Sequence, residues 1–129
     1  PISSMDIMAT ICDLANVKTK NKLDGVNLIP FLKKEKKGVP HDVLFWRKWE
    51  QNAMAIRKGN FKLVSNRQMQ TNLPKLYDLS DDISEIKDIK ESKIMDADVL
   101  LNDWKEWNKE NKDRYFPTLG NDKWWERNK

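Results

Sequence analysis

The sequence predicts an α+β fold: a small four-stranded antiparallel sheet with a long helix packed on one face, preceded by a short helix. Three observations carry this. Between Val43 and Leu79, short runs rich in β-branched and aromatic residues alternate with glycine-bearing or polar loops. From Ile94 onward, Ile94, Ala97, Leu101 and Trp104 recur at helical spacing. Before both, Met5 to Ala15 reads as a helix of its own.

Taken in order, Ser3 and Ser4 stand where a helix N-cap is expected, able to accept hydrogen bonds from the free N–H groups of the first turn. Asp6, Thr10 and Asp13 form one narrow polar stripe on the helix that follows. Ile7, Met8, Ile11, Cys12 and Leu14 cover most of the rest, a pattern that predicts burial on most sides. Asn16 suits the left-handed conformation that ends a helix. Leu23-Asp24-Gly25-Val26 reads as a turn. It leads into Leu28 to Leu32, where Pro30 fits the first turn of a short helix.

Val43 to Trp49 is the first expected strand. Ala53 to Arg57 and Phe61 to Val64 flank Lys58-Gly59-Asn60, a short glycine-containing connection that predicts a hairpin. Alternation places Met54 and Ile56 on one side of the sheet, and the less regular Phe61 to Val64 fits burial on both faces. Leu76 to Leu79 is a fourth strand after a polar loop. In the final helix, Leu100 and Trp107 widen the apolar stripe, which sets Trp104 and Trp107 at the helix–sheet interface. The organisation expected is a helix and connecting segment over 1–38, the sheet and helix over 39–112, and an aromatic tail over 113–129.

Composition narrows the function classes. The 129 residues suffice for one compact domain, and 39% hydrophobic with 34% charged residues describes a soluble globular chain. No apolar run approaches the roughly 18 residues of a membrane span, so no membrane partner is expected. The net charge of +4 comes from interleaved acidic and basic residues, not from one basic stripe, and this argues against nucleic acid. The run Lys33 to Lys37 reads as a solvated loop. Pro1-Ile2 opens the chain without an initiator Met, as in a processed or excised piece, and no signal-peptide pattern follows within it.

A catalytic set is missing. Cys12, the single cysteine, lies mid-helix with no His or Lys beside it in sequence and reads as packing. His41, the single histidine, lies between Pro40 and Asp42 and reads as a loop residue bonded to Asp42 or to backbone. Asp78, Asp81, Asp82 and Glu85 lack the alternation and central glycine of a calcium loop and read as a solvated turn. The four glycines are scattered, so no phosphate-cradling loop exists. No catalytic residue, metal ligand or cofactor is expected in this chain.

Three ordered segments nevertheless resemble one family. Ser4-Met5-Asp6-Ile7-Met8-Ala9-Thr10, through Leu14-Ala15-Asn16 to Asp24-Gly25-Val26-Asn27-Leu28, is similar to S-x-x-D-(I/L)-x-P-T, L-A-G and D-G-x-S-L. Pro40 to Arg47, then Ala55-Ile56-Arg57-Lys58-Gly59-Asn60-Phe61-Lys62, resembles A-(I/V)-R-x-G-x-(W/Y)-K. Leu76-Tyr77-Asp78-Leu79-Ser80-Asp81-Asp82-Ile83-Ser84-Glu85 resembles L-Y-D-L-x-x-D-P-x-E. These are motifs of the arylsulfatase-like, formylglycine-dependent sulfatases, in the stretch that follows their catalytic core. Ala9, Asn16 and Ile83 depart from the usual Pro, Gly and Pro.

The resemblance implies the C-terminal subdomain of an alkaline-phosphatase-like sulfatase, docked on an N-terminal catalytic domain and lining one side of the cleft for a sulfated carbohydrate. It also implies a formylglycine nucleophile and a calcium ion in the parent enzyme, both upstream of this chain. Cys12 does not fit the Cys/Ser-x-Pro-x-Arg nucleophile motif, because Leu14 and Asn16 stand where Pro and Arg are needed. His41, Trp46, Arg47 and Trp49 are the residues expected to face substrate. A guanidinium can hold sulfate with paired hydrogen bonds, and Trp can stack on a sugar ring. Family members are commonly exported, which suggests a periplasmic or extracellular location. Two other readings fit the same residues: a non-catalytic binding module for sulfated or acidic glycans, and self-association through the apolar first helix.

Overall fold

The computed structural model describes residues 1–48, 53–65 and 73–112. Contacts divide the chain into two compact units, Pro1–Leu44 and Phe45–Lys129.

The first unit is built on helix α1, Met5–Leu14. Met5 N–H approaches Ser3 Oγ at 3.4 Å, and Asp6 reciprocates by accepting the Ser3 N–H at 2.7 Å, a capping-box arrangement with Asp in the acidic position. Asn16 ends the helix at φ 53°, the left-handed cap expected of it. The chain then returns along α1 and forms α2, Ile29–Leu32, with Pro30 in its first turn.

The expected burial of α1 is not what the structure shows. Ile7, Met8, Ile11 and Leu14 are each 56–62% exposed, Cys12 is only half-buried, and Asp6 is the one fully buried residue of the helix. The polar stripe is the inward face. Its carboxylates and hydroxyl bond to the returning loop, which leaves the apolar side uncovered by this unit.

The sheet has the order β1-β2-β3-β4, with β1 at Val43–Lys48, β2 at Ala53–Lys58, β3 at Phe61–Ser65 and β4 at Lys75–Asp78. The strands β2, β3 and β4 pair antiparallel. Lys58 pairs with Phe61, so the hairpin turn is two residues, Gly59-Asn60, tighter than the three expected. Gly59 has φ 59° and Asn60 is not left-handed, the pattern of a type II′ turn, whose twist suits a hairpin.

Register explains the core. Ile56 lies opposite Leu63, and Leu63 opposite Leu76, so three fully buried side chains form a row across three strands. Helix α3, Ile94–Lys109, packs on β2 and β3 and buries Ala97 and Leu100. Ile94, expected in the stripe, is the first residue of the helix and is 56% exposed. The buried line runs instead through Ala97 and Leu100 to Trp104 and Trp107. On β3 only Leu63 and Ser65 are fully buried, while Lys62 and Val64 are half-buried, so the second face is only partly covered.

The outer edge of β4 is covered by its own downstream chain. Leu76 N–H donates to Asp88 Oδ1 at 3.1 Å, and Leu76 C=O accepts the Ile89 N–H at 2.9 Å. This satisfies an edge that would otherwise invite pairing. A short 3₁₀ turn, Lys90–Ser92, then leads into α3.

Candidate functional site

Asp6 organises the first unit. Its carboxylate accepts the Ser3 N–H at 2.7 Å and the Val26 N–H at 2.9 Å, and both oxygens lie within 2.9 Å of His41 Nε2. An ionised carboxylate only accepts, so Nε2 carries the proton of that bond. Burial pushes the Asp6 carboxyl up, but the N–H groups of Ser3 and Val26 and the hydrogen bond and charge of His41 outweigh it. The net effect holds the carboxyl below the usual aspartate range.

Two more residues of the stripe continue the fastening. Thr10 Oγ1 accepts the Leu28 N–H at 3.0 Å, and Asp13 accepts Asn27 Nδ2 at 2.7 Å. Gly25 makes the approach possible, since a Cβ there would sit 2.2 Å from Met5 O. Asp24-Gly25 and the stripe of α1 are thus two halves of one joint. His41 is bonded to Asp6, 35 residues away, and not to Asp42 or backbone as sequence neighbours suggest. The sequence marked Asp6 as a polar position of the stripe and as part of the S-x-x-D motif, but not as the buried anchor of this joint.

Trp46 and Arg47 lie side by side on β1 in the second unit, and strand alternation sends them to opposite faces. Trp46 is 47% exposed, and its C=O accepts the Trp104 indole N–H at 3.0 Å. Arg47 Nη1 donates to Asn108 Oδ1 at 2.6 Å and Nη2 to Lys112 C=O at 3.4 Å, which ties the strand to the end of α3. Phe45 stacks on Trp107 with ring centroids 4.9 Å apart, so both helix tryptophans meet the sheet as expected. Trp49 and the aromatic tail over 113–129 lie outside the described residues.

The acidic turn after β4 is occupied by its own backbone. Asp78 accepts the Ser80 hydroxyl and N–H, which hold its carboxyl below the usual range. Asp82 is lowered by the N–H groups of Lys87 and Ile86, and Glu85 pairs with Lys62. Burial raises the Tyr77 hydroxyl above its ordinary pKa, helped by the charges of Asp88, Glu85 and Asp82. Among the described residues, no group of three or more His, Cys, Asp or Glu side chains is placed to hold a metal ion. No helix among them is long and apolar enough to cross a membrane.

Residues 2–112 match the family described as N-sulphoglucosamine sulphohydrolase, C-terminal. Over 47 residues, 35% of this chain, the sequence is 45% identical to the uncharacterized sulfatase YdeN of Escherichia coli (strain K12), of which that stretch is 8%. The crystal structure of Ps i-CgsB is similar with a TM-score of 0.69 and 24% identity, over 87% of this chain and 25% of that one. BT4656, solved in complex with its substrate D-glucosamine-2-N,6-O-disulfate, gives a TM-score of 0.64 and 22% identity, over 81% of this chain and 23% of that one. The chain therefore spans about a quarter of the length of these solved structures. At such identities the two structural likenesses establish the fold.

Proposed function

Because the chain belongs to the sulfatase family described as N-sulphoglucosamine sulphohydrolase, C-terminal, we propose that it is the C-terminal part of an enzyme that hydrolyses sulfate esters of carbohydrate. The match over residues 2–112 carries this reading. The substrate class is supported by BT4656, whose own substrate is a sulfated glucosamine. The chain's part is to complete the enzyme's fold against an N-terminal catalytic domain and to line one side of the cleft. Formylglycine and calcium belong to that upstream domain; no catalytic step is assigned to residues here.

Of the proposed lining residues, Trp46 offers a half-exposed ring for stacking on a sugar. Arg47 supplies a guanidinium whose orientation is fixed by Asn108. His41 is held by Asp6, and Trp49 completes the set. A glycan-binding module without catalysis is less favoured. Lys33, Lys58, Lys62, Lys93 and Lys109 each pair with a carboxylate, which disperses the positive charge such a module would gather.

The test is sulfate release from a sulfated glucosamine oligosaccharide by the full-length enzyme, with Trp46→Ala and Arg47→Ala beside the wild type. The expected result is hydrolysis by the wild type and a raised KM in both variants. No sulfate release by the wild type sinks the enzymatic reading. Unchanged kcat and KM in both variants remove Trp46 and Arg47 from the cleft.

A further inference from the structure

Gly25 is the only glycine of the chain that follows an aspartate, and none follows an asparagine. That pairing is a chemical weak point. With no side chain at position 25, the Gly25 backbone nitrogen is unhindered from attacking the side-chain carboxyl of Asp24. The joint nevertheless demands glycine there, because a Cβ would lie 2.2 Å from Met5 O and 2.7 Å from Asp6 N. Asp24 is itself exposed. Asp6, Asp13, Asp78, Asp82 and Asp88 each accept a hydrogen bond, whereas the Asp24 carboxylate accepts none among the described residues.

We propose that Asp24–Gly25 is a site of spontaneous backbone modification, where the aspartyl bond isomerises to the β-linked form, and that opening of the α1 joint sets the rate. The Gly25 nitrogen bonds to the Asp24 Cγ, and a carboxyl oxygen leaves as water, which closes a cyclic imide. Water then adds at one of the two imide carbonyls. Addition at the side-chain carbonyl restores aspartate. Addition at the backbone carbonyl leaves the chain running through Cβ and Cγ, with the α-carboxylate free. One water is lost and one gained, so mass and charge are unchanged while the backbone is one carbon longer.

The closed joint opposes the first step. Val26 N–H is fastened to Asp6 Oδ1 at 2.9 Å and Leu28 N–H to Thr10 Oγ1 at 3.0 Å, and Gly25 lies against the backbone of Met5. Bringing the Gly25 nitrogen onto Cγ turns the 24–25 linkage against these contacts, so ring closure proceeds from the locally opened loop. The product does not refit. An added backbone carbon displaces Val26 from Asp6 in a place with no room beside Met5, so each conversion leaves the joint unfastened.

Ageing at physiological temperature and pH tests this in the full-length protein. Isoaspartate is read by enzymatic methylation and peptide mapping in the wild type, Thr10→Val and Asp24→Glu, beside a synthetic peptide of residues 20–30. Thr10→Val removes one fastening and leaves the Asp6–His41 pair in place, which keeps the comparison within folded protein. Isoaspartate should collect at residue 24, about tenfold or more slowly in the wild type than in the peptide, with Thr10→Val in between, because the rate follows the open population. Asp24→Glu, whose longer side chain closes the ring far more slowly, should show no signal at this position. Faster conversion at another residue of 1–129, or none at 24 in the wild type, overturns the site. Equal rates in wild type and peptide, or in wild type and Thr10→Val, overturn control by the joint.

Discussion

His41 Nε2 lies 2.8 Å and 2.9 Å from the two carboxylate oxygens of Asp6, a buried pair that joins the first turn of α1 to the segment entering the sheet. The same carboxylate satisfies two backbone N–H groups, so its removal orphans three donors at once. Asp6→Ala should therefore destabilise the chain by about 3 kcal/mol, the scale of breaking a buried, hydrogen-bonded pair. Asp6→Asn should cost less, because the amide oxygen still accepts one of the bonds. Urea denaturation of the three proteins measures both; a cost within error of zero for Asp6→Ala would show that the joint is not structural.

The pH dependence follows from the same carboxylate. The Asp6 carboxyl is held below the ordinary value of 3.8, so the folded state binds the proton less readily than the unfolded state. Its contribution is complete above that ordinary value and is lost as the pH falls through the lower folded value. Melting temperature should fall on acidification in that window, and Asp6→Asn should flatten the fall. Parallel acid limbs in the two proteins would assign acid sensitivity to other groups.

Gly25 is required for space and not for an unusual backbone angle. A Cβ at this position meets Met5 O at 2.2 Å and Asp6 N at 2.7 Å, both backbone atoms of α1 that cannot swing aside. Gly25→Ala should cost about 1–3 kcal/mol, the range for overpacking. It should act on the same joint as Asp6→Ala, so the double variant should lose less than the sum of the two. Strict additivity in denaturation midpoints would separate the two sites.

Much of this architecture was legible in the sequence. Runs of β-branched and aromatic residues between glycine-bearing and polar loops marked all four strands, and Ala97, Leu100, Trp104 and Trp107 lie on the helical stripe that packs on the sheet. Asn16 was readable as a left-handed cap because that preference is local. His41 was not, because its partner is 35 residues away and adjacency pointed to Asp42. The inversion of α1 was unreadable for a related reason. Periodicity states which face is apolar, but burial needs a covering partner, and the polar stripe happens to be the face the returning chain supplies with donors. Ile94 shows the same limit on a smaller scale: it continues the stripe, yet at the first position of the helix it is 56% exposed.

The clamp between β1 and α3 gives the last prediction. Arg47 Nη1 bonds Asn108 Oδ1 at 2.6 Å, and two residues earlier on the same strand Phe45 stacks on Trp107, the residue before Asn108. The stack buries more apolar surface than the hydrogen bond, so Trp107→Ala should be the costlier change, about 2–4 kcal/mol for a large but only half-buried ring. Asn108→Ala should cost about 1–2 kcal/mol, since it removes one acceptor of a charged donor. A double-mutant cycle between Arg47→Ala and Asn108→Ala should give a coupling of about 0.5–2 kcal/mol. The kinetic readout then separates the two duties of Arg47. If the guanidinium also meets substrate, Arg47→Ala raises KM beyond the change seen in Asn108→Ala. Equal KM values in the two variants would confine Arg47 to holding the helix on the strand.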